Sequence, residues 1–187
     1  MEIKRIFWKF YIQFHWFLNV FRKKGAGLGD CVPDFTLSDL HGSPVTLSRC
    51  FPGKAVVLWM TNLCSTCEER IGFLQEVYAF LRDKVEILAV STLGKDRNRP
   101  EQILKTHRMD FPLLLDPEDW IGRVLGFEHP GGACPLHNLL ILDRFGRVRL
   151  RHHLSAISDE KFLETLRQLF PTFAKGLKRE PSSTRGG

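Results

Sequence analysis

The chain lacks an uninterrupted apolar run of the ~20 residues that a membrane-spanning helix needs. Its first 24 residues come nearest to one, but Lys9, Gln13, His15 and Asn19 interrupt them. No small-residue cleavage site follows, and the basic run Arg22-Lys23-Lys24 closes the stretch. These features disfavour both a spanning helix and a secretory signal peptide.

The chain also lacks a basic domain, although its formal net charge is +6. Residues 1–24 contribute +5 and residues 171–187 contribute +3, so residues 25–170 carry −2. The interior has no basic stripe with interleaved aromatic side chains, which is the usual footprint of a nucleic-acid-binding surface. The sequence therefore predicts no nucleic-acid partner, and no cofactor is expected either.

An even set of cysteines is missing too, since the chain has five. An odd number argues against a purely structural disulfide framework, because at least one thiol is left over. Only Cys64 and Cys67 are close in sequence. Of the dispersed cysteines, Cys31 and Cys50 are interpreted as small buried side chains.

Residues 1–24 are predicted to form an amphipathic helix. Its apolar residues recur at steps of four and three, on one helical stripe: Ile3, Phe7, Phe10, Phe14, Phe17 and Phe21. Two interpretations stay open. The helix attaches the protein to a membrane surface as an interfacial element, or its stripe docks on its own domain or on a second subunit. The cellular compartment is not predicted.

A glycine-rich linker, Gly25-Ala26-Gly27-Leu28-Gly29, separates this helix from the rest of the chain. A single domain is expected over residues 28–170. Residues 171–187 combine Pro, Ser, Gly and basic residues with little apolar content. That composition predicts a basic, disordered tail.

Strand-like and helix-like segments alternate within the domain. Continuous apolar runs predict buried strands at 55–60 and 85–90, and helical spacing predicts helices at about 67–82, at about 101–108 and, ending at Gly126, after Pro117. A hairpin over 139–150 and a final helix that Ser158 caps complete the order. The order predicts an α/β fold with a mixed central sheet and helices on both faces. Trp59 and Trp120 are predicted to pack in the core.

The Cys64-Ser65-Thr66-Cys67 motif lies directly after a predicted buried strand, at the start of a predicted helix. Unpaired backbone N–H groups and the helix dipole favour negative charge there, so the pKa of the Cys64 thiol is expected to be depressed. Cys67 lies about one turn further along the helix. It can therefore attack a mixed disulfide on Cys64 and release the reduced partner.

Several stretches around this motif resemble one known family. They are the opening Gly29-Asp30-Cys31-Val32-Pro33-Asp34-Phe35-Thr36-Leu37-Ser38-Asp39-Leu40-His41-Gly42, then Val45-Thr46-Leu47 and Gly53-Lys54-Ala55-Val56-Val57-Leu58. Over residues 28–170 the chain is similar to the redoxin branch of the thioredoxin superfamily. That branch contains the AhpC/TSA peroxiredoxins and the TlpA/ResA-like thiol–disulfide oxidoreductases. The resemblance implies a thioredoxin fold.

The resemblance implies catalytic roles for Cys64, Cys67 and Thr61. In an oxidoreductase, Cys64 attacks a protein or small-molecule disulfide, Cys67 resolves the intermediate, and a thiol reductant restores the pair. In the alternative, a thiol peroxidase, Thr61-x-x-Cys64 matches the peroxiredoxin T-x-x-C pattern. Cys64 then attacks a peroxide, and its sulfenic acid condenses with Cys67 or Cys134.

The sequence departs from both patterns. Val57 replaces the proline of peroxiredoxins, and Leu63 replaces the tryptophan that usually precedes the first cysteine of the oxidoreductases. His137 stands where the family has a cis-proline or an arginine, and Pro135 lies two residues earlier. The family fold implies that the loop with Cys134, Pro135 and His137 faces the substrate.

A third interpretation is a metal-binding module. Two pairs of matching spacing, one of two thiols and one of a thiol and an imidazole, supply four ligands that suit zinc or copper: Cys64, Cys67, Cys134 and His137. The oxidoreductase is the leading hypothesis.

Overall fold

The computed structural model describes residues 26–63, 68–92, 109–128 and 137–170, together with positions 102, 105, 106 and 135. The predictions for the N-terminal helix (1–24) and the tail (171–187) lie outside the described residues, and most of the predicted helix at 101–108 does as well. Among the described residues, no helix combines the length and the apolar character that crossing a bilayer requires.

The described residues form one seven-stranded sheet. Its strands are β1 (Thr36–Asp39), β2 (Pro44–Thr46), β3 (Ala55–Met60), β4 (Val85–Ser91), β5 (Leu113–Leu115), β6 (Leu139–Leu142) and β7 (Val148–His152). They lie in the order β2-β1-β5-β4-β3-β6-β7. β3, β4 and β5 run parallel, and the other neighbouring pairs are antiparallel. The predicted mixed sheet is confirmed, and β1, β2 and β5 are strands that the sequence did not predict.

Helices cover both faces of the sheet. They are α1 (Leu47–Cys50), α2 (Ile71–Leu81), α3 (Trp120–Leu125) and α4 (Asp159–Leu169). α2 and α4 bury their apolar residues in one core layer, and α1 and α3 bury theirs in the other. The predicted cap of α4 is confirmed, because Ser158 Oγ accepts a hydrogen bond of 3.2 Å from the Lys161 backbone N–H.

The central strand β3 explains why its sequence is uniformly apolar. Val57 and Trp59 face the layer of α2 and α4, whereas Val56, Leu58 and Met60 face the layer of α1 and α3. Every residue of β3 has 0% exposure. A strand covered on both faces has no position for a polar side chain. The prediction that Trp59 packs in the core is confirmed.

Two predictions of burial are wrong. Trp120 is 48% exposed, because α3 buries Ile121 and Leu125 and turns Trp120 and Val124 outward. Cys31 is exposed as well.

Cys50 is half-buried. Its Sγ donates a hydrogen bond of 3.5 Å to the Thr46 carbonyl. Burial raises the pKa of the Cys50 thiol, and the nearby Glu86 acts in the same direction. Cys50 is therefore expected to be a poor nucleophile at neutral pH.

Asp143 fixes the turn between β6 and β7. One carboxylate oxygen accepts hydrogen bonds from the backbone N–H groups of Phe145 (2.8 Å) and Arg147 (3.0 Å). The other oxygen accepts from Arg149 Nε at 2.8 Å. Burial disfavours the charged carboxylate, but these hydrogen bonds outweigh burial, and the pKa of Asp143 lies below its usual value. The charged form therefore stabilises the folded state.

Asp143→Asn is expected to lower the free energy of unfolding by about 1–3 kcal/mol at pH 7, because a charge-assisted hydrogen-bond set is lost. A depressed folded-state pKa stabilises in full above the unfolded-state value of about 3.9 and is lost as pH falls through the folded-state value. Urea unfolding at pH 7 and pH 3 should therefore give a difference between variant and parent that shrinks at pH 3. The control is Asp83→Asn at an exposed position; an unchanged difference at pH 3 would contradict the linkage.

Candidate active site

Of the predicted site residues, the structure describes Thr61, Pro135 and His137. Cys64, Cys67 and Cys134 lie outside the described residues. The described residues nevertheless define the two ends between which the cysteine pair is inserted, namely the carboxyl end of β3 and the start of α2. They also place part of the predicted substrate-facing loop.

A tight backbone turn follows β3. Thr61 is fully buried, and its backbone N–H donates to the Val90 carbonyl at 2.7 Å. Its Oγ1 accepts a hydrogen bond of 2.9 Å from the Leu63 backbone N–H. Leu63 has φ 53°, in the left-handed region, which costs a non-glycine residue roughly 1–2 kcal/mol. The Thr61 hydroxyl therefore helps to hold a strained residue directly before Cys64.

Asn62 ties this turn to the end of β4. Its Oδ1 accepts hydrogen bonds from the Thr92 hydroxyl at 2.8 Å, the Thr92 backbone N–H at 3.2 Å and the Ser91 hydroxyl at 3.5 Å. Asn62 was not predicted as a site residue. The signal that could have found it is a polar side chain between a buried strand and the cysteine motif. Asn62 fixes the chain two residues before Cys64.

Asn62→Ala is expected to destabilise the fold by about 1–2 kcal/mol, because the side-chain acceptor of the Thr92 N–H and hydroxyl is lost. The same change should slow reaction of Cys64 with a small disulfide by roughly tenfold, since the chain before the predicted nucleophile loosens. Urea unfolding and stopped-flow exchange measure the two effects. Asn62→Asp keeps the acceptor oxygen and should restore most of both; equal losses in the two variants would contradict the proposed cause.

Asn138 holds the loop before β6 beside the end of β3. Its carbonyl accepts from the Met60 backbone N–H at 2.8 Å, and its Oδ1 accepts from the Leu154 backbone N–H at 2.8 Å. Asn138 has 0% exposure. The neighbouring His137 is exposed, and Pro135 is buried. Pro135 and His137 thus lie in the loop that leads into Asn138. This loop is at the end of the sheet where β3 finishes and Cys64 follows in sequence.

The pKa of His137 is lower than that of an ordinary histidine. Partial loss of solvent lowers the pKa of His137, and the positive charges of Arg151, His152 and His153 act in the same direction. Because an ordinary histidine titrates near pH 6.5, His137 is mainly neutral at pH 7. A neutral imidazole accepts a proton or a hydrogen bond, but it does not supply the permanent positive charge of an arginine.

Arg70 anchors the start of α2. Its Nη1 lies 2.6 Å from Asp159 Oδ1, in the first turn of α4. Its guanidinium also lies 4.5 Å from the centre of the Phe73 ring. The ion pair fixes the start of α2 against α4, and the ring contact lies within α2 itself.

The described residues do not test the proposed metal site. Three of the four (Cys64, Cys67 and Cys134) lie outside the part of the chain that the structure describes. Within the described part, no group of three or more histidine, cysteine or acidic side chains could hold a metal ion. The metal-binding interpretation stays an untested prediction.

The mixed sheet, the helix α2 after β3 and the loop that Asn138 fixes define a thioredoxin-fold redoxin. A family model described as the AhpC/TSA family matches residues 28–151. The chain therefore belongs to the AhpC/TSA family. It is a redoxin enzyme.

Relatives of two kinds are similar to it. The thiol-disulfide oxidoreductase ResA of Geobacillus kaustophilus is 33% identical over 137 residues, which cover 71% of this chain and 74% of the relative. The chloroplastic peroxiredoxin Q of Populus jackii is 28% identical over 145 residues, covering 75% and 67%. Sequence similarity thus connects the chain with both of the enzyme classes that its motifs suggest.

Solved structures agree on the fold. The peroxidoxin BcpB of Mycobacterium tuberculosis superposes with a TM-score of 0.64 at 21% identity, covering 77% of this chain and 96% of that one. A putative thiol:disulfide interchange protein DsbE of Chlorobium tepidum gives a TM-score of 0.60 at 23% identity, covering 75% and 99%. At these identities the likeness shows the thioredoxin-like fold alone.

Proposed function

We propose that the chain is a thiol–disulfide oxidoreductase in which Cys64 is the attacking thiolate and Cys67 the resolving thiol. The observation that carries the proposal is the turn of Thr61, Asn62 and Leu63, whose hydrogen bonds fix the chain immediately before Cys64. A C-x-x-C pair between a buried strand and a helix is the arrangement that disulfide exchange needs. The 33% identity to a ResA protein supports the same activity.

The reaction consists of two exchanges. The Cys64 thiolate attacks one sulfur of a protein or small-molecule disulfide, and the other substrate sulfur leaves as a thiolate that takes up a proton. Cys67, after losing its proton, attacks Cys64 Sγ in the mixed disulfide and expels the second substrate sulfur. Two electrons have then passed to the substrate, and an external thiol reductant reduces the Cys64–Cys67 disulfide.

Thr61 assists Cys64 through its hydroxyl. Because Thr61 Oγ1 accepts the Leu63 N–H, its geometry is set by the backbone, and its own O–H is left to donate a hydrogen bond. A donated hydrogen bond stabilises a thiolate and lowers its pKa. Thr61 thereby favours the nucleophilic form of Cys64.

The loop with Cys134, Pro135 and His137 faces the substrate. Asn138 holds this loop at the end of β3, where a disulfide must lie to meet Cys64. The lowered pKa of His137 leaves a neutral imidazole at pH 7, which can take the proton that Cys67 releases.

A thiol peroxidase is the second candidate, and the Thr61-x-x-Cys64 spacing together with the peroxiredoxin Q relatives supports it. The Cys64 thiolate would attack a peroxide oxygen, water or an alcohol would leave, and the resulting sulfenic acid would condense with Cys67 or Cys134 with loss of water. His137 stands at the position of the peroxiredoxin arginine. Its lowered pKa withholds a positive charge at neutral pH, which favours the oxidoreductase.

Side-by-side kinetics test the proposal. Reduced protein is mixed with a small aromatic disulfide and, separately, with hydrogen peroxide, and mass spectrometry maps the product on Cys64. Fast exchange that ends in a Cys64–Cys67 disulfide, with slow peroxide turnover, is expected. Rapid peroxide consumption through a Cys64 sulfenic acid would select the peroxidase, and inertness to both reagents would overturn both. Cys31→Ser is the matched control, since that cysteine is exposed and lies outside the site.

A further inference from the structure

The outward face of α3 is an exposed apolar surface. Trp120 is 48% exposed and Val124 is 39% exposed, and residues four apart lie on the same side of a helix. We call these two side chains the α3 face. Together the two side chains form a small apolar patch, on which another element can dock.

The described part of the chain begins beside the carboxyl end of α3. Ala26 is buried, and its backbone N–H donates to the Leu125 carbonyl, at the carboxyl end of α3, at 3.2 Å. Its own carbonyl accepts from Arg151 Nη1 at 3.2 Å, and the Arg151 guanidinium lies 4.3 Å from the Phe127 ring centre. Ala26 is thus clamped between α3 and β7. The preceding 25 residues must leave from this point.

Residues 17–21 are close enough to Ala26 in the chain to reach the α3 face. The helix from Trp120 to Leu125 is about 7.5 Å long at 1.5 Å per residue. Five residues of extended chain span at most roughly 17 Å, so Phe21, five residues before Ala26, can reach either end of the α3 face. Phe17 lies one helical turn before Phe21 on the apolar stripe of residues 1–24.

The charges near α3 also favour residues 1–24 as the element that covers the α3 face. Residues 116–128 carry four acidic side chains against Arg123, a net charge of −3, and Glu118 and Glu128 are exposed. Residues 1–24 carry +5. Opposite charges attract the segment to α3, whereas an anionic bilayer would be repelled by the acidic residues beside it.

We propose that the aromatic stripe of residues 1–24 docks on the α3 face of its own domain, with Phe17 and Phe21 against Trp120 and Val124. Hydrogen bonds connect the α3 face with the turn before Cys64. The backbone N–H of Trp120 donates to Asp116 Oδ1 at 3.0 Å, and the Asp116 N–H donates to the carbonyl of Ser91 at 2.8 Å. Ser91 in turn bonds Asn62 in the turn before Cys64.

Hydrogen exchange on the full chain tests the docking. Deuterium uptake by a peptide covering residues 117–128 is compared between the parent and Phe17→Asp/Phe21→Asp, at low protein concentration. The double variant should exchange about fivefold faster in α3, because docking protects the helix from local opening. Gln13→Asp/Asn19→Asp adds the same charge off the stripe and should raise α3 uptake far less than the stripe variant does, because it weakens only the charge attraction. Unchanged uptake in β3 and β4 shows that the fold is intact.

A reciprocal pair of variants closes the test. Trp120→Ser/Val124→Ser truncates the two outward apolar side chains of α3, and it should raise uptake in residues 7–21. No change in either direction overturns the proposal. Protection of α3 that appears only with anionic lipid vesicles would assign the stripe to a membrane, and protection that grows with protein concentration would assign it to a second copy; each of these results also overturns the proposal.

Discussion

Cys64→Ser is expected to lower the rate of disulfide reduction by about 10³-fold or more, because a serine hydroxyl does not ionise at neutral pH and cannot form the mixed disulfide. The fold should survive, since the substitution exchanges one small side chain for another and keeps the hydrogen bonds of Thr61 and Asn62 that fix the preceding turn. The measurement is single-turnover exchange with a small aromatic disulfide, followed by its absorbance. A variant that keeps more than a tenth of the parental rate would contradict the role of Cys64.

Cys67→Ser separates the two exchanges. The first attack by Cys64 should stay within about threefold of the parental rate, because the nucleophile and its turn are unchanged. The second step should fail, so that a mixed disulfide between Cys64 and the substrate accumulates. Mass spectrometry of the unreduced protein detects it as a stable adduct. A normal yield of released thiol, with no adduct, would show that Cys134 or an external thiol resolves the intermediate instead.

The sequence predicted well those elements whose signal is local. β3 and β4 are buried on both faces and therefore appear as continuous apolar runs. The final helix has a capping serine whose contact spans only three residues, from Ser158 to Lys161. In such cases the residues that stabilise an element are also its neighbours in the chain, so a pattern can be read from one short window.

The short strands could not be predicted because the strands with which they pair are distant in the sequence. β5 has three residues, and its contacts are made with β4 and β1, which lie more than twenty residues away. β1 alternates between exposed and half-buried positions over only four residues. A run of three or four residues gives no usable period, and its assignment to a strand depends on pairing that the local sequence does not encode.

Trp120 shows the limit of hydrophobic patterning. The four apolar residues of α3 give a helical period, but Ile121 and Leu125 face the core and Trp120 and Val124 face outward. With six residues, a helix can turn either pair inward. The side that wins is decided by the core layer below, in which β3, β4 and β6 already supply the matching surface.

The residues of the candidate site divide in the same way, into those with a local signal and those whose partners are distant in the sequence. The cysteine motif and Thr61 are predictions from spacing and resemblance, because the chemistry proposed for them needs neighbouring residues. Asn62 and Asn138 could not be predicted, since the partners of their side chains lie 30 and 16 residues away. Both asparagines join loops that meet only after the sheet has formed. Through these contacts they fix the position of the segments next to the cysteine motif.

Asn138→Ala is expected to lower the free energy of unfolding by about 2–4 kcal/mol, because the buried Leu154 N–H loses its acceptor and a cavity replaces the amide. Asn138 has 0% exposure, so water reaches the orphaned N–H only if the structure opens. The loop with His137 should loosen at the same time, and reduction of a protein disulfide should slow more than reduction of a small one. Urea unfolding and the two exchange rates measure these effects.

His137→Ala, one residue away at an exposed position, is the matched control and should change stability by no more than about 0.5 kcal/mol. Asn138→Asp distinguishes the acceptor from the cavity, because it keeps the side-chain oxygen and nearly the same volume. If the carboxylate is charged at pH 7, its burial costs stability that protonation restores at low pH. A loss in Asn138→Ala no larger than that in His137→Ala would mean that the loop is held by its backbone alone, and the Met60 N–H bond to the Asn138 carbonyl would then suffice to place it.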